Sequence, residues 1–361
     1  MTVAPPSGAP ITVVLINYNG GETVLRCIRS LRGQMQPPER IVFVDNGSAE
    51  YNEATFRFAF GPRYNNIVRY VRLEKNVGYV NGMNHGLKQV LADDTSPAWV
   101  MTLSNDTELD PEFFQNLDLA FEGLTPEGDV MSTTKMLAPK LRSAVDRELL
   151  DGAGIGVSLD GMSTARGQRE RDENQYDSDV HILIPNGAAA IYRVDLLKEV
   201  GLFDESFGAY CEDTDLGLRA WLAGWDCHFL SDCIVYHARS STMGEHSLNK
   251  LYLVERNHYW VAVKNLPLPM LLLVPTFSTY RYLVQIYALL ARRGQGQGYG
   301  EGHSPTALAL TTLKGVTHAG LGLPGAFLKR FQNYPIRRRS MLETLYTLWR
   351  KRLPFVQLIL K

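Results

Sequence analysis

Cysteine is scarce: Cys27, Cys211, Cys227 and Cys233 are the only four in 361 residues. They are too few and too scattered for a disulfide framework, so a reducing cytosol is the default compartment. The first ten residues have no basic segment and no apolar stretch, and do not read as a secretory signal. Internal repeats and long low-complexity runs are missing; the nearest is the Gly/Gln stretch at 294–302. Long apolar runs are missing too. Residues 266–290 hold apolar stretches at 270–274 and 283–290, but Pro267, Pro269 and Pro275 break them and Arg281 interrupts. A spanning helix wants about 20 uninterrupted apolar residues.

Acid is nearly absent beyond residue 263. Glu301 and Glu343 stand against 14 lysines and arginines, a net of +12, whereas residues 1–263 carry 23 basic and 36 acidic side chains, a net of −13. Two units are therefore expected, an acidic body over 1–263 and a basic, apolar helical tail over 264–361. Such a tail calls for an anionic partner, a membrane surface or nucleic acid. The whole chain nets −1 and no known nucleic-acid motif accompanies the tail charge, which disfavours nucleic acid. A surface-lying helix needs one apolar face and basic flanks; the pairs 292–293 and 329–330 and the triplets 337–339 and 350–352 supply flanks. The other possibility is an amphipathic helical cap on the body, its basic residues merely solvated. At 45% hydrophobic and 21% charged residues, the chain is globular rather than disordered.

What is present in the body is an alternation. Short β-rich apolar runs at 11–16, 40–45, 67–73 and 99–103 are interleaved with helical spacing at 22–32 and 80–91. This predicts a parallel α/β sheet. A helix follows at 113–124, loops and short strands at 143–180, strand character at 181–184 and 188–192, and helices at 195–200 and 214–223, the last closed by Gly224. Ligands of such sheets bind beyond the strand C-termini, and Asn17, Asp45, Asn76 and Asp106 sit in or just after those positions.

Each of these residues also has a plain structural role open to it. Asp45 suits a base or ribose, or is a turn residue before Asn46-Gly47-Ser48. Residues 76–84 offer amides and two glycines to a diphosphate or ribose, or form a loop and helix cap. Ser104-Asn105-Asp106 suits a divalent cation through its carboxylate, or is a turn. Residues 203–215 are the sharpest segment: aromatics around a run of acids entering a helix. Asp213 there suits a general base, whereas Asp215 reads as N-terminal helix charge. His237 follows a strand-like run and becomes a credible ligand beside a metal carboxylate. Gly152, Gly154 and Gly156 precede no helix and are not a dinucleotide fingerprint, and the Cys227, Cys233, His237 spacing fits no common zinc site.

Taken in order, these segments resemble the family 2 inverting glycosyltransferases. The resemblance rests on 11–20 with Asn17-Tyr18-Asn19, on 44–48, on Asn76-Val77-Gly78-Tyr79 with Asn84-His85-Gly86, and on 103–107 with Asp110-Pro111. It continues through Asn186-Gly187-Ala188, 200–219 and Tyr236-His237, and so covers about residues 10–240. Within the family the chain is most similar to bacterial rhamnosyltransferase-type enzymes of polysaccharide assembly.

The resemblance implies a GT-A fold, Rossmann-like with a mainly parallel central sheet, followed by a helical, membrane-associated C-terminal region. It implies a nucleotide-diphosphate sugar donor held by Asn17, Tyr18, Asn19, Asp45, Asn76, Gly78, Asn84 and Asn105. A Mg²⁺ or Mn²⁺ ion would sit on Asp106 and His237, Asp213 would be the base, and the acceptor would meet Glu212, Asn186, Gly187 and Trp221. The chain departs from the family at Ser104, where the first acid of the metal motif is expected. It also lacks the Gln-x-x-Arg-Trp signature of processive synthases, residues 216–221 reading Leu-Gly-Leu-Arg-Ala-Trp; single-sugar addition is implied. The expected acceptor is a saccharide, lipid-linked, met on the inner face of the cell membrane. Two other functions stand beside this one: a sugar nucleotidyltransferase, disfavoured because 17–21 lacks Lys and Arg, and an inactive carbohydrate-binding scaffold, which Ser104 leaves open.

Overall fold

The computed structural model describes residues 11–49, 52–93, 95, 98–123, 133–239, 244, 246–355 and 359. The described residues form twelve strands: β1 (Ile11–Asn17), β2 (Arg40–Asp45), β3 (Val68–Arg72), β4 (Trp99–Ser104), β5 (Thr107–Leu109), β6 (Thr134–Ser143), β7 (Leu150–Gly152), β8 (Ile155–Val157), β9 (Ser163–Ala165), β10 (His181–Ile182), β11 (Ala189–Arg193) and β12 (Asp226–His237). Ten join one sheet in the order β10-β12-β6-β11-β4-β1-β2-β3, with β5 paired to β12 and β7 to β6; β8 and β9 form a separate hairpin.

All seven residues of β1 are buried because both faces of the sheet are covered. Successive side chains alternate between faces. Val13 and Leu15 join Phe43, Met101 and the helices Gly21–Arg32 and Phe113–Gly123, whereas Val14 and Ile16 join Val42, Val44 and the helix Tyr79–Leu91. Strands β3, β2, β1 and β4 are parallel, with β1 between β2 and β4. The chain thus reverses its direction of growth at β1, which opens a crevice at the strand C-termini. The expected parallel sheet is found in this half; the other half is mixed, β11 running antiparallel to both β4 and β6.

Sequence periodicity does not reveal β6. Its Pro139 is an unusual central-strand residue, and its Lys140 is 2% exposed at the side chain, neutralised by Asp172 at 3.2 Å and Asp177 at 2.7 Å. The 143–180 region holds β7, β8 and β9 among turns, as its composition suggests.

Of the C-terminal helices, Leu248–Asn265 packs on the body helix Glu212–Leu222, Pro305–Asn333 packs on Leu248–Asn265, Gly294–Gly302 packs on Val274–Leu290, and Met341–Arg350 joins the same apolar cluster through Leu348. The 263/264 division falls inside the first of them, and Lys264 and Asn265 both bond to Asp215 of the body. Pro275 occupies the first turn of its helix, where a missing N–H costs nothing. Arg281 is fully buried, paired with Asp160 and Glu255 at 2.7 Å each. Several basic residues of the tail also turn inward. Lys329 bonds Asp204, Arg330 the carbonyls of Val263 and Leu266, Arg337 that of Lys264, Arg338 that of Ala223, and Arg339 that of Trp221. Among the described residues no helix is long and apolar enough to cross a membrane.

Candidate active site

Register brings the strand ends level. Asn17 pairs with Asp45 and Asp45 with Arg72 across β1, β2 and β3. The Asp45 carboxylate is buried and occupied: Oδ1 accepts from the Ser48 amide at 3.0 Å, and Oδ2 from the Tyr70 hydroxyl at 2.9 Å and Arg72 at 2.7 Å. Arg72 itself is half-exposed. Asn17 knots three segments, donating to Ser48 Oγ and accepting from the Gly20 amide and Asn105 Nδ2. Tyr18 is half-buried beside it. Asn19 has φ +46°, a left-handed conformation that Asn tolerates, and accepts from the Ala49 amide. Asn46, also buried, reaches across to Asn76 Oδ1 and the Gly78 carbonyl. These bonds fix a polar rim over the switch point.

The second element of the site comes from the far half of the sheet. Pairing of β5 with β12 sets His237 opposite Thr107, next to Asp106. His237 Nε2 lies 3.4 Å from Asp106 Oδ1, and its Nδ1 is 2.7 Å from Asp151 Oδ2 on β7. The other Asp151 oxygen pairs with Arg239. Burial pulls the His237 pKa down, but the carboxylates of Asp151 and Asp106 overcome it and push the imidazole up to about 10. Burial would raise Asp151; His237 and Arg239 outweigh it and hold that acid below the usual range.

The donor set suits a divalent cation. A carboxylate and an imidazole nitrogen face one another, and Asp151 takes the proton on Nδ1, which leaves Nε2 as the ligating atom. Among the described residues no group of three or more His, Cys, Asp or Glu side chains could hold a metal. Most coordination positions would therefore fall to phosphate oxygens and water, a division that Mg²⁺ tolerates well.

The third element is the head of the helix Glu212–Leu222. Tyr210 and Cys211 precede it with φ of +65° and +67°, a strained left-handed pair. Asn257 of the first C-terminal helix holds that loop, donating to the carbonyls of Phe207, Ala209 and Tyr210 at 3.1, 2.8 and 2.7 Å. Asp213 Oδ1 accepts from the Thr214 amide at 2.7 Å and its Oδ2 from the Gly187 amide at 3.0 Å. A Cβ at Gly187 would stand 2.9 Å from Asp213 Oδ2, so any larger residue there would displace that carboxylate. The Gly187 carbonyl accepts from the Tyr79 hydroxyl at 3.2 Å, and Asn186 Oδ1 stiffens the turn through the Ala188 amide. Burial raises the Tyr79 phenol, and Glu212, Asp213 and Asp106 add to it. The Ser104 amide donates to the Ala188 carbonyl at 3.0 Å, so the strand end that leads to Asp106 adjoins the Gly187 turn that holds Asp213, and the two acidic groups border one cleft.

Burial pushes Glu212 up to about 8, with Asp213 adding repulsion. Its Oε2 has no hydrogen-bond partner among the described residues. Burial also raises Asp213, against the pull of the Gly187 and Thr214 amides. A carboxylate with a raised pKa, oriented by amides and near an unpaired acid, is chemically a proton acceptor.

The glycosyl transferase family 2 model matches residues 12–201, more than half of the chain. The chain belongs to that family. A second model, glycosyl transferase family group 2, matches residues 170–297 of this glycosyltransferase. N-acetylglucosaminyl-diphospho-decaprenol L-rhamnosyltransferase of Mycobacterium tuberculosis is 23% identical over 279 residues, spanning 69% of this chain and 86% of the relative. Among solved structures, residues 1–349 of S. aureus TarS superpose with a TM-score of 0.51 at 18% identity, covering 90% of this chain and 89% of that one. The mannosyltransferase PcManGT from Pyrobaculum calidifontis, in complex with GDP-Man and Mn²⁺, gives 0.52 at 15% identity, covering 96% and 90%. These likenesses show the fold: a mixed, mostly parallel curled sheet with helices, of GT-A type.

The family 2 fold gathers most of the residues singled out in the sequence, but two stand apart from the cleft. Asn84 is 2% exposed and donates to the Phe203 carbonyl, tying its helix to the 203–205 loop. Trp221 is eight residues beyond Asp213, roughly 12 Å along the helix; it is 4% exposed, packed with Leu218, Val261 and Leu348 under the Arg339 guanidinium. Sequence patterns gave no sign of Asn257, and gave Tyr79 only as a member of the 76–79 motif, with no role of its own. A carboxylate on the edge of a Gly-rich run was the one available hint of Asp151.

Proposed function

We propose that this glycosyltransferase moves a single sugar, rhamnose in preference, from a nucleotide-diphosphate sugar to a lipid-linked saccharide, inverting the anomeric centre. The observation that carries it is Asp213, oriented by the Gly187 and Thr214 amides on the same cleft as Asp106 and His237. Asp213 takes the proton of an acceptor hydroxyl. That oxygen attacks the anomeric carbon from the face opposite the leaving diphosphate, the bond to the diphosphate breaks, and configuration inverts in one displacement. Asp106 and His237 would hold a Mg²⁺ or Mn²⁺ ion, with Asp151 fixing the imidazole tautomer. Bound there, the ion supplies charge to offset that of the departing diphosphate. Asp45 and Arg72, with the Asn17–Asn19 and Asn76–Gly78 turns, form the rim for the nucleoside. Glu212, Asn186 and Gly187 border the acceptor.

The acceptor assignment draws on the mycobacterial relative, whose name specifies a decaprenol-diphosphate-linked sugar. The tail supports it with surface chemistry. Leu283, Leu290, Leu321 and Phe331 are exposed on its helices, Arg292 and Arg293 follow just after Leu290, and Arg350 ends the helix Met341–Arg350. Apolar side chains flanked by cations suit peripheral binding to the anionic inner face of the cell membrane. The test offers a panel of radiolabelled nucleotide sugars to full-length protein with a bacterial lipid extract. Label from activated rhamnose should enter the butanol phase, chelator in excess should stop it, and Mg²⁺ or Mn²⁺ should restore it. Label appearing only in water-soluble saccharide would refute the lipid-linked acceptor. Anionic liposomes should float the protein and release it in high salt.

A further inference from the structure

A cavity of about 740 Å³ lies between β9, Arg239, His246 and the C-terminal helices. Its size is within the roughly 300–1,000 Å³ usual for ligand pockets. The walls are mainly aliphatic, with Leu251, Val254, Leu289 and Leu308 among them. At its outer rim stand Ile286, Leu290 and Leu313, which are 55%, 79% and 62% exposed on the apolar face of the tail.

Its inner end adjoins the catalytic residues at three points. Ser163 Oγ shares a 2.8 Å hydrogen bond with Thr214 Oγ1, and Thr214 holds Asp213. Arg239 pairs with Asp151, whose other oxygen takes His237. The Lys250 ammonium lies 5.5 Å from the centre of the Tyr210 ring, three residues before Asp213. Aliphatic walls offer few hydrogen bonds to a sugar or nucleotide, whereas two cations at the inner end suit phosphate.

We infer that this cavity seats the hydrocarbon chain of a prenyl diphosphate-linked acceptor. The chain enters between Ile286, Leu290 and Leu313, its diphosphate lies at Arg239 and Lys250, and its saccharide reaches Asp213. The inference rests on the lipid-linked acceptor proposed above and adds the route by which the lipid meets the site.

Farnesyl diphosphate is the probe, titrated onto the full chain by equilibrium dialysis below its micelle concentration. Ala309→Trp and Thr312→Trp fill the cavity from one helix face; circular dichroism checks their fold. Wild type should bind the probe, a tenfold excess of inorganic pyrophosphate should fail to displace it, and each variant should weaken binding tenfold or more. A photoreactive farnesyl diphosphate on wild type should crosslink to the helices Leu248–Asn265, Val274–Leu290 or Pro305–Asn333, a readout that needs no variant to fold. Equal binding by folded variants, crosslinks confined elsewhere, or no binding by wild type would each overturn the cavity assignment. The lipid-linked acceptor itself would survive any of these if butanol-soluble product still forms, and would fall with it only if label stays water-soluble.

Discussion

Asp213 and Asp215 lie two residues apart on one helix and are shifted in opposite directions. Burial acts on both. Asp215 is fully buried, yet Lys264 at 2.8 Å and Arg219 at 2.9 Å, with the Asn265 amide at 2.9 Å, hold it below the usual carboxylate range. Asp213 has backbone amides for partners and Glu212 for a neighbour, and its pKa rises. The same division runs through the molecule. On the side facing the C-terminal helices, Arg281 lowers Glu255 and Lys264 lowers Asp204. In the cleft, Glu212 is left at about 8. Supply of a cation, rather than burial, decides whether an acid here holds the fold or stays available for chemistry.

The largest expected effect tests the cleft side. Asp213→Asn removes the base and keeps one of the two amide contacts, since Nδ2 cannot accept from a backbone N–H, so transfer should fall by about 10²–10⁴-fold while donor binding holds. Turnover within tenfold of wild type would make Asp213 a structural helix-head acid and erase the contrast with Asp215.

Next comes the interface side. Lys264→Met strips Asp204 and Asp215 of a shared buried cation, and breaking a buried pair costs about 3–5 kcal/mol. Urea unfolding should record that loss, and adding Asp215→Asn should recover part of it. No loss would mean that the C-terminal helices contribute little to holding the Glu212–Leu222 helix.

Asp151→Asn should lower metal affinity and transfer by about 10–100-fold, the range for a carboxylate behind a ligating histidine. Titration of Mn²⁺ by electron paramagnetic resonance would read the first effect directly. An unchanged Mn²⁺ isotherm would remove Asp151 from any metal role.

The smallest effect sharpens the comparison through pH. Glu212 has a folded pKa above its ordinary one, so its contribution favours the fold at low pH and is lost as pH rises from about 4.5 toward 8. Asp215 has a depressed pKa, so its contribution is present above the ordinary aspartate range and is lost as acid titrates it. Glu212→Gln should therefore flatten the fall in unfolding temperature between pH 5 and 8, by roughly a few degrees, and leave the acid limb intact. A wild-type curve flat over that window would show that Glu212 ionises at its ordinary pKa.

Much of the site could be read from local sequence. Turn chemistry after apolar runs located Asn17, Asp45 and Asp106, and an acidic entry to a helix located Asp213, because strand ends and helix heads are set by neighbouring residues. The identity of the acid's partner is a different matter. Nothing near Asp215 in sequence announces Lys264, 49 residues away. Periodicity likewise cannot tell that Trp221 turns from the cleft into the packing of the C-terminal helices.

The sequence by itself determined an α/β body with acids at its strand ends, a basic apolar tail and membership of a glycosyltransferase lineage through an ordered set of short motifs. Only tertiary structure joined His237 to Asp151 across 86 residues and Tyr79 to Gly187 across 108, and only it turned Lys329, Arg330 and 337–339 inward onto the body. The physical reason is register. Pairing of β12 with β5 and of β6 with β7 fixes which side chains become neighbours, and that pairing is set by burial of both sheet faces at once, a condition that no local window of sequence contains.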